Sequence, residues 1–301
     1  MTESQNWPGY PIDGEATGNE IQCRWFFAFS WLASTLWWPS MRPWGGIFRI
    51  SILAVLLFPN IAGAQSVPSV RAPKGDLRAA LIASNPVLVS RAADGRLAGV
   101  SVDVARALAE RLGVPVRLIP YENPARYNES LGKDDWDIGL AARDPARGDH
   151  LVFSDAFMEV DNGYVARPGL PLRNADEVDR SETKVAVAQG SAPDLFLTRT
   201  LKNAEIVRIP GGVAPARQVL ADGRADVYGE NFHVAHRIAT ELPGATVLPG
   251  RFNVVQMSIA IPKKNGEALS IVNDFVLDAK RSDLFAEAIK RANLIGVRQA
   301  P

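Results

Sequence analysis

From about residue 75 onward, short apolar runs alternate with stretches whose apolar positions recur every three or four residues. That rhythm predicts strands joined by crossover helices, an α/β architecture with a largely parallel sheet. Leu77 to Ser84 is an apolar run suited to a buried first strand. Asp94-Gly95 predicts a turn, and Ser101 a helix cap, with Asp103 near the positive end of the helix dipole. Val104, Leu108 and Leu112 lie four apart, beside Ala105 and Ala109, and form one apolar stripe. Gly113 and Pro115 end that helix. Val116 to Pro120 and Asp137 to Ala142 read as the second and third strands.

A second unit follows. Lys184 to Ala188 predicts a strand, Gly190-Ser191 a turn and Pro193 to Leu201 a helix. Val213 to Asp222 predicts another helix, and Gly223 turns the chain into a strand over Ala225 to Tyr228. Ser258 to Ile261 reads as a late apolar strand, and Glu267 to Asn293 as a helical tail.

Composition narrows the classes. The chain has 301 residues, room for two domains, with 33 basic and 33 acidic side chains. That balance gives no sign of a nucleic-acid partner. The single cysteine is Cys23, so no disulfide is possible within the chain.

The first 64 residues read as separate from the fold. Over 41–64, Arg42 and Arg49 precede an apolar core from Ile50 to Phe58, and Ala62-Gly63-Ala64 closes it with small residues. That is the pattern of a cleaved export signal, with periplasmic delivery and a mature start at Gln65. The core is shorter than the roughly 20 residues that span a bilayer. Residues 1–40, including the tryptophan-rich Trp25 to Trp38, read as an over-extended start, with an N-terminal anchor as the alternative.

Residues 95 to 155 run as turn, helix, strand, helix, strand and an arginine-bearing loop ending in Phe153-Ser154-Asp155. This order resembles the first lobe of family-3 extracytoplasmic solute-binding proteins, the polar amino-acid type that serves ABC importers. The resemblance extends over residues 75 to 295. It implies a two-lobed periplasmic-binding-protein-like fold of type II, with a ligand cleft between lobes joined by a two-segment hinge. Lobe 1 would take 75–160, lobe 2 161–254, and the return to lobe 1 255–301. The chain would leave lobe 1 near Phe157 to Gly163 and return near Asn253 to Met257. The resemblance further implies a monomer that hands a small-molecule ligand to an inner-membrane ABC permease, with no catalytic role and no cofactor.

Several residues fall on the family's ligand positions. Arg147, in Arg143-Asp144-Pro145-Ala146-Arg147, matches the arginine that clamps a ligand carboxylate, a task suited to a guanidinium fork. Arg143 competes with it and reads as structural. Ser191 and Ala192 open a helix where free amides attract an anion; Ser191 serves equally as a simple cap, with Asp194 three residues on. The segment Ala225 to Asn231 resembles the one that delivers an aspartate to the ligand ammonium, but Asn231 stands at that position. Glu230 can replace it only by a one-residue shift, with its side chain expected to point elsewhere. Asn85 stands where the family stacks an aromatic ring. Tyr127 either walls the cleft or packs in a helix core.

These departures predict weak binding of the standard amino acids, and favour an amino-acid derivative or organic acid. His233 and His236, spaced i, i+3, lack a third ligand. Cyclohexadienyl dehydratases share the fold and carry an acid in the cleft, which keeps an enzyme as one alternative; a sensor or accessory binding protein is the other.

Overall fold

The computed structural model describes residues 75–92 and 94–301. The segments read over 1–40 and 41–64, with Cys23 and the cleavage site, lie outside the described residues. The order of elements is β1 (Leu77–Ile82), β2 (Ser90–Arg91), β3 (Leu97–Ala98), α1 (Val100–Leu112), β4 (Val116–Tyr121), α2 (Pro124–Glu129) and β5 (Ile138–Ala142). Then comes the long β6 (Leu151–Ala166). It leads to β7 (Lys184–Ala188), α3 (Ala192–Thr200), β8 (Glu205–Ile209), α4 (Val213–Ala221), β9 (Val227–Asn231), α5 (Phe232–Glu241) and β10 (Thr246–Val247). The chain ends with β11 (Asn253–Pro262), α6 (Leu269–Arg281), α7 (Leu284–Arg291) and β12 (Val297–Gln299).

The hydrogen-bonded strand order β4-β1-β5-β11-β6-β9-β7-β8 contains two parallel blocks. One is β4-β1-β5, the other β9-β7-β8, and the antiparallel pair β6/β11 lies between them. Side chains sort accordingly into separate cores. Leu77 to Val160 and Val255 to Ile289 supply one core, in which Leu81, Leu108, Phe157 and Phe285 are fully enclosed. The second lobe packs Tyr228, Val219 and Ile238 on one sheet face, and Val187, Tyr164 and Leu197 on the other. Each fully buried Val, Leu or Phe contributes about 1.5–3 kcal/mol, so neither core depends on a single side chain.

The apolar stripe of α1 buries Val104, Ala105, Leu108 and Ala109. Its start differs from the expected one. Gly99, at φ 109°, caps the helix with no side-chain bond, while Ser101 is buried inside the first turn with an unpartnered hydroxyl. A side chain on Gly99 would strike the Leu88 carbonyl at 2.8 Å, so this tight entry excludes the serine from the cap. The tail expected to be one helix is broken by Asp283, at φ 57°, into α6 and α7. The strand β8 was not anticipated. Beneath the sheet, Arg78 of β1 grips Asp137 at the start of β5 through Nη2 at 2.7 Å, pinning the two strands together.

Candidate functional site

Where the two lobes meet, residues from both line a cleft holding about 680 Å³ of space, part of it open to solvent. Loops after β1 and β5 approach from the first lobe, and the turns after β7 and β8 from the second. The floor is the crossing pair, with Val160 and Asn162 of β6 and Val255 and Met257 of β11. This is the carboxyl-end position at which open α/β sheets bind ligands.

Arg147 lies at the end of a single 3₁₀ turn, Pro145–Arg147, whose N-cap Asp144 accepts from the Ala146 amide. Its guanidinium is 2% exposed. Nη1 donates to the Ala142 carbonyl at 2.9 Å, Nε to Asn128 Oδ1 at 3.2 Å, and Nη2 to the Gly190 carbonyl at 3.1 Å. It makes no ion pair among the described residues, and burial pulls its pKa below the ordinary arginine value. The cation is therefore held by dipoles alone. Arg143 points away from this cleft and donates to the Ser154 carbonyl at 2.6 Å.

Tyr127 does not line the cleft. Its ring is fully buried, stacked on Trp136 at 5.6 Å, and sits 5.8 Å beneath the Arg147 guanidinium. It is the platform on which the arginine rests.

The turn after β7 brings Ser191 and Ala192 to the cleft. The Ser191 hydroxyl caps α3 by accepting from the Asp194 amide at 3.2 Å, while Asp194 Oδ2 accepts from the Gly190 amide at 2.8 Å. The Gly190 carbonyl faces the first lobe and also accepts from Asn128 Nδ2 at 2.9 Å. Gly190 has φ 74°, and a Cβ there would stand 2.6 Å from that nitrogen. Only glycine permits this approach. Sequence reasoning missed Asn128, whose partner lies 62 positions away.

Glu230 and Asn231 both line the cleft. Asn231 is committed internally: Oδ1 accepts from the Val234 amide, capping α5, and Nδ2 donates to Glu230 Oε1 at 3.0 Å. Glu230 does not turn elsewhere, as was expected of it. The period-two pleat of β9 puts it on the same side as Tyr228, whose hydroxyl donates to its Oε2 at 3.3 Å. The carboxyl is buried with no cation against it among the described residues. Burial pushes its pKa above the usual carboxylate range, against the pull of its hydrogen bonds from Asn231 and Tyr228. Asn85 also lines the cleft, its Oδ1 folded back onto the Val87 amide at 3.0 Å. Among the described residues, Arg147 and Glu230 are the only formally charged side chains on the wall.

His233 and His236 lie on α5, and His233 Nδ1 accepts from the Ile295 amide at 3.5 Å. No cluster of three potential metal ligands occurs among the described residues.

Comparison with solved structures places the fold. An L-cysteine solute receptor of Neisseria gonorrhoeae aligns at TM-score 0.64 and 22% identity, over 73% of this chain and 90% of that one. The P235GK mutant of ArgBP from T. maritima aligns at TM-score 0.63 and 22% identity, over 73% and 95%. The ancestral amino acid-binding protein AncCDT-1, a precursor of cyclohexadienyl dehydratase, aligns at 0.62 and 24%, over 73% and 96%. These likenesses show the two-lobed periplasmic-binding-protein-like fold.

Among curated proteins, membrane-bound lytic murein transglycosylase F of Maricaulis maris (strain MCS10) is 26% identical over 213 residues, 66% of this chain and 44% of that protein. The enzyme of the same name from Shewanella oneidensis is 35% identical over 75 residues, 24% of this chain and 16% of that protein. The chain thus spans less than half the length of these relatives. Residues 77–292 match the family model for bacterial extracellular solute-binding proteins, family 3. That match covers most of the chain and both lobes, and the chain belongs to this family.

Proposed function

We propose that the protein captures a small solute bearing both a carboxylate and an ammonium by closure of its two lobes, and delivers it in the periplasm to an inner-membrane ABC permease. The observation that carries this reading is the buried, unneutralised Arg147 in the cleft. A guanidinium with no counter-charge is costly to enclose, and a ligand carboxylate offers the charge-assisted bonds it lacks. Glu230 supplies the opposite pole. Its presence replaces the missing aspartate at Asn231 and removes the main ground for expecting standard amino acids to bind weakly. Solved relatives with this fold include the L-cysteine receptor and arginine-bound ArgBP.

Binding of this kind is a population shift: the ligand stabilises the closed arrangement by its bonds to both lobes. The reading takes the protein as a monomer without cofactor, exported with a mature start at Gln65. Among the described residues no helix is long and apolar enough to cross a membrane. A thermal-shift screen against amino acids, opines and organic acids tests the function, since a ligand bound at a hundred times its Kd adds about 2.7 kcal/mol of stability. A melting temperature unmoved by every compound refutes it.

One observation supports a second reading. Glu230 is a carboxyl held in its acid form more readily than usual, in the cleft beside an anion clamp, which suits a dehydratase-like acid. Turnover of prephenate-like substrates decides for that enzyme.

A further inference from the structure

The cleft has a character beyond its two charged poles. Between Arg147 and Glu230 the wall is apolar: Val87, Leu88, Val160, Val234, Val255 and Met257. All six are buried below 9% exposure. Several polar side chains on the wall already make bonds within the protein. Asn231 caps α5, Ser191 caps α3, Asn85 closes its own turn, and Asn162 Nδ2 donates to Asn253 Oδ1 at 2.8 Å. A ligand group entering this region meets methyls and a thioether, with few hydrogen-bond partners to spare.

A third charge on the ligand would be stripped of water with no counter-charge to receive it, and a side-chain amide would exchange water for a mostly apolar wall. An aliphatic group gains from the same surroundings. We propose that the ligand is an α-amino acid with a neutral apolar side chain, and that Val160, Val255 and Met257 on the crossing strands set this selectivity. The inference rests on the zwitterion reading of Arg147 and Glu230 and specifies what lies between them.

The test is calorimetric titration of the purified full chain with alanine, valine, leucine and methionine against arginine, lysine, glutamate and glutamine. Each amino acid that binds is then titrated into Arg147→Ala. The expected result is that the best apolar ligand binds at least tenfold tighter than every charged or amide ligand, in an Arg147-dependent way. Met257→Gln should narrow that gap, and its melting temperature without ligand reports whether the fold is kept. Arg147-dependent binding in which arginine, lysine, glutamate or glutamine is preferred overturns the inference and leaves the zwitterion reading standing. Failure of all eight to bind, or binding indifferent to Arg147→Ala, overturns both.

Discussion

Arg199 of α3 meets Asp144 of the first lobe in a two-point pair, Nη1 to Oδ1 at 3.1 Å and Nη2 to Oδ2 at 2.9 Å. Asp144 is nearly buried while Arg199 is half open to solvent. The pair joins the lobes beside the start of β11, independently of any ligand. Arg199→Ala should therefore shift the unliganded protein toward an open arrangement. Solvent screening limits the effect to about 0.5–1 kcal/mol, a two- to fivefold change in population. Small-angle scattering should show a larger radius of gyration without ligand, and an unchanged radius would count against the latch.

Gly211 provides a steric counterpart. A Cβ there would stand 2.9 Å from Ser84 Oγ and 3.2 Å from Pro124 Cδ, both on the opposite lobe. Gly211→Val should act as a wedge, weakening ligand affinity at least tenfold while the melting temperature of the free protein changes little. A large loss of stability without ligand would show that the clash lies within a lobe instead.

Arg147→Ala should weaken ligand binding by about 2 kcal/mol or more, the usual result of removing one partner of a buried charged pair. Arg143→Ala should cost far less, because Arg143 binds a carbonyl outside the cleft. Calorimetry on both variants checks this, and equal losses would misplace the clamp.

Glu230 links affinity to stability. Unfolded, it ionises at the ordinary carboxylate value; folded, burial raises that value. Its contribution therefore opposes folding in full above the folded pKa, and the cost fades as pH falls through that value toward the unfolded one. Glu230→Gln should raise the melting temperature at pH 7–8 by about 2 °C or more, and much less in acid. The same change should weaken ammonium-bearing ligands. In the native protein their affinity should fall about tenfold per pH unit once Glu230 is protonated before binding. A variant less stable at pH 8 than at pH 4, relative to the native chain, would contradict this.

Much of the molecule was legible from the chain because its cues are local. The i, i+4 stripe of Val104, Leu108 and Leu112, the run Leu77 to Ile82, and the loop carrying Arg147 all declare themselves within a few residues. The long β6 did not. Asp155, Glu159, Asp161 and Asn162 interrupt its apolar positions, since one stretch of the strand lies in the interlobe crossing, where buried and partly exposed positions alternate. The placements of Glu230 and Asn231 were also hidden. Which of two adjacent cleft residues is left for a ligand depends on the Asn231 cap on α5, a helix bond that competes with ligand contact. Asn128 and the Asp144–Arg199 pair were invisible for a simpler reason, because their partners belong to the other lobe.

The crossing strands also bear on how the chain assembles. Asn162 of β6 bonds Asn253 of β11 across 91 residues, and Asp161 receives Arg298 of β12 across 137. β12 lies along β6 at Met158 to Val160, so the crossing is completed by the last strand of the chain. The second lobe can collapse on contacts within one segment, whereas the first, whose core includes Val255 to Ile289, must close a loop of about a hundred residues, and such non-local pairing is slow. Refolding should proceed in two stages, with a compact second lobe forming first and ligand-competent protein appearing only as β11 and β12 dock on β6. The cleft exists as a single site only from that moment, which makes recovery of ligand binding, rather than of helical signal, the measure of a finished molecule.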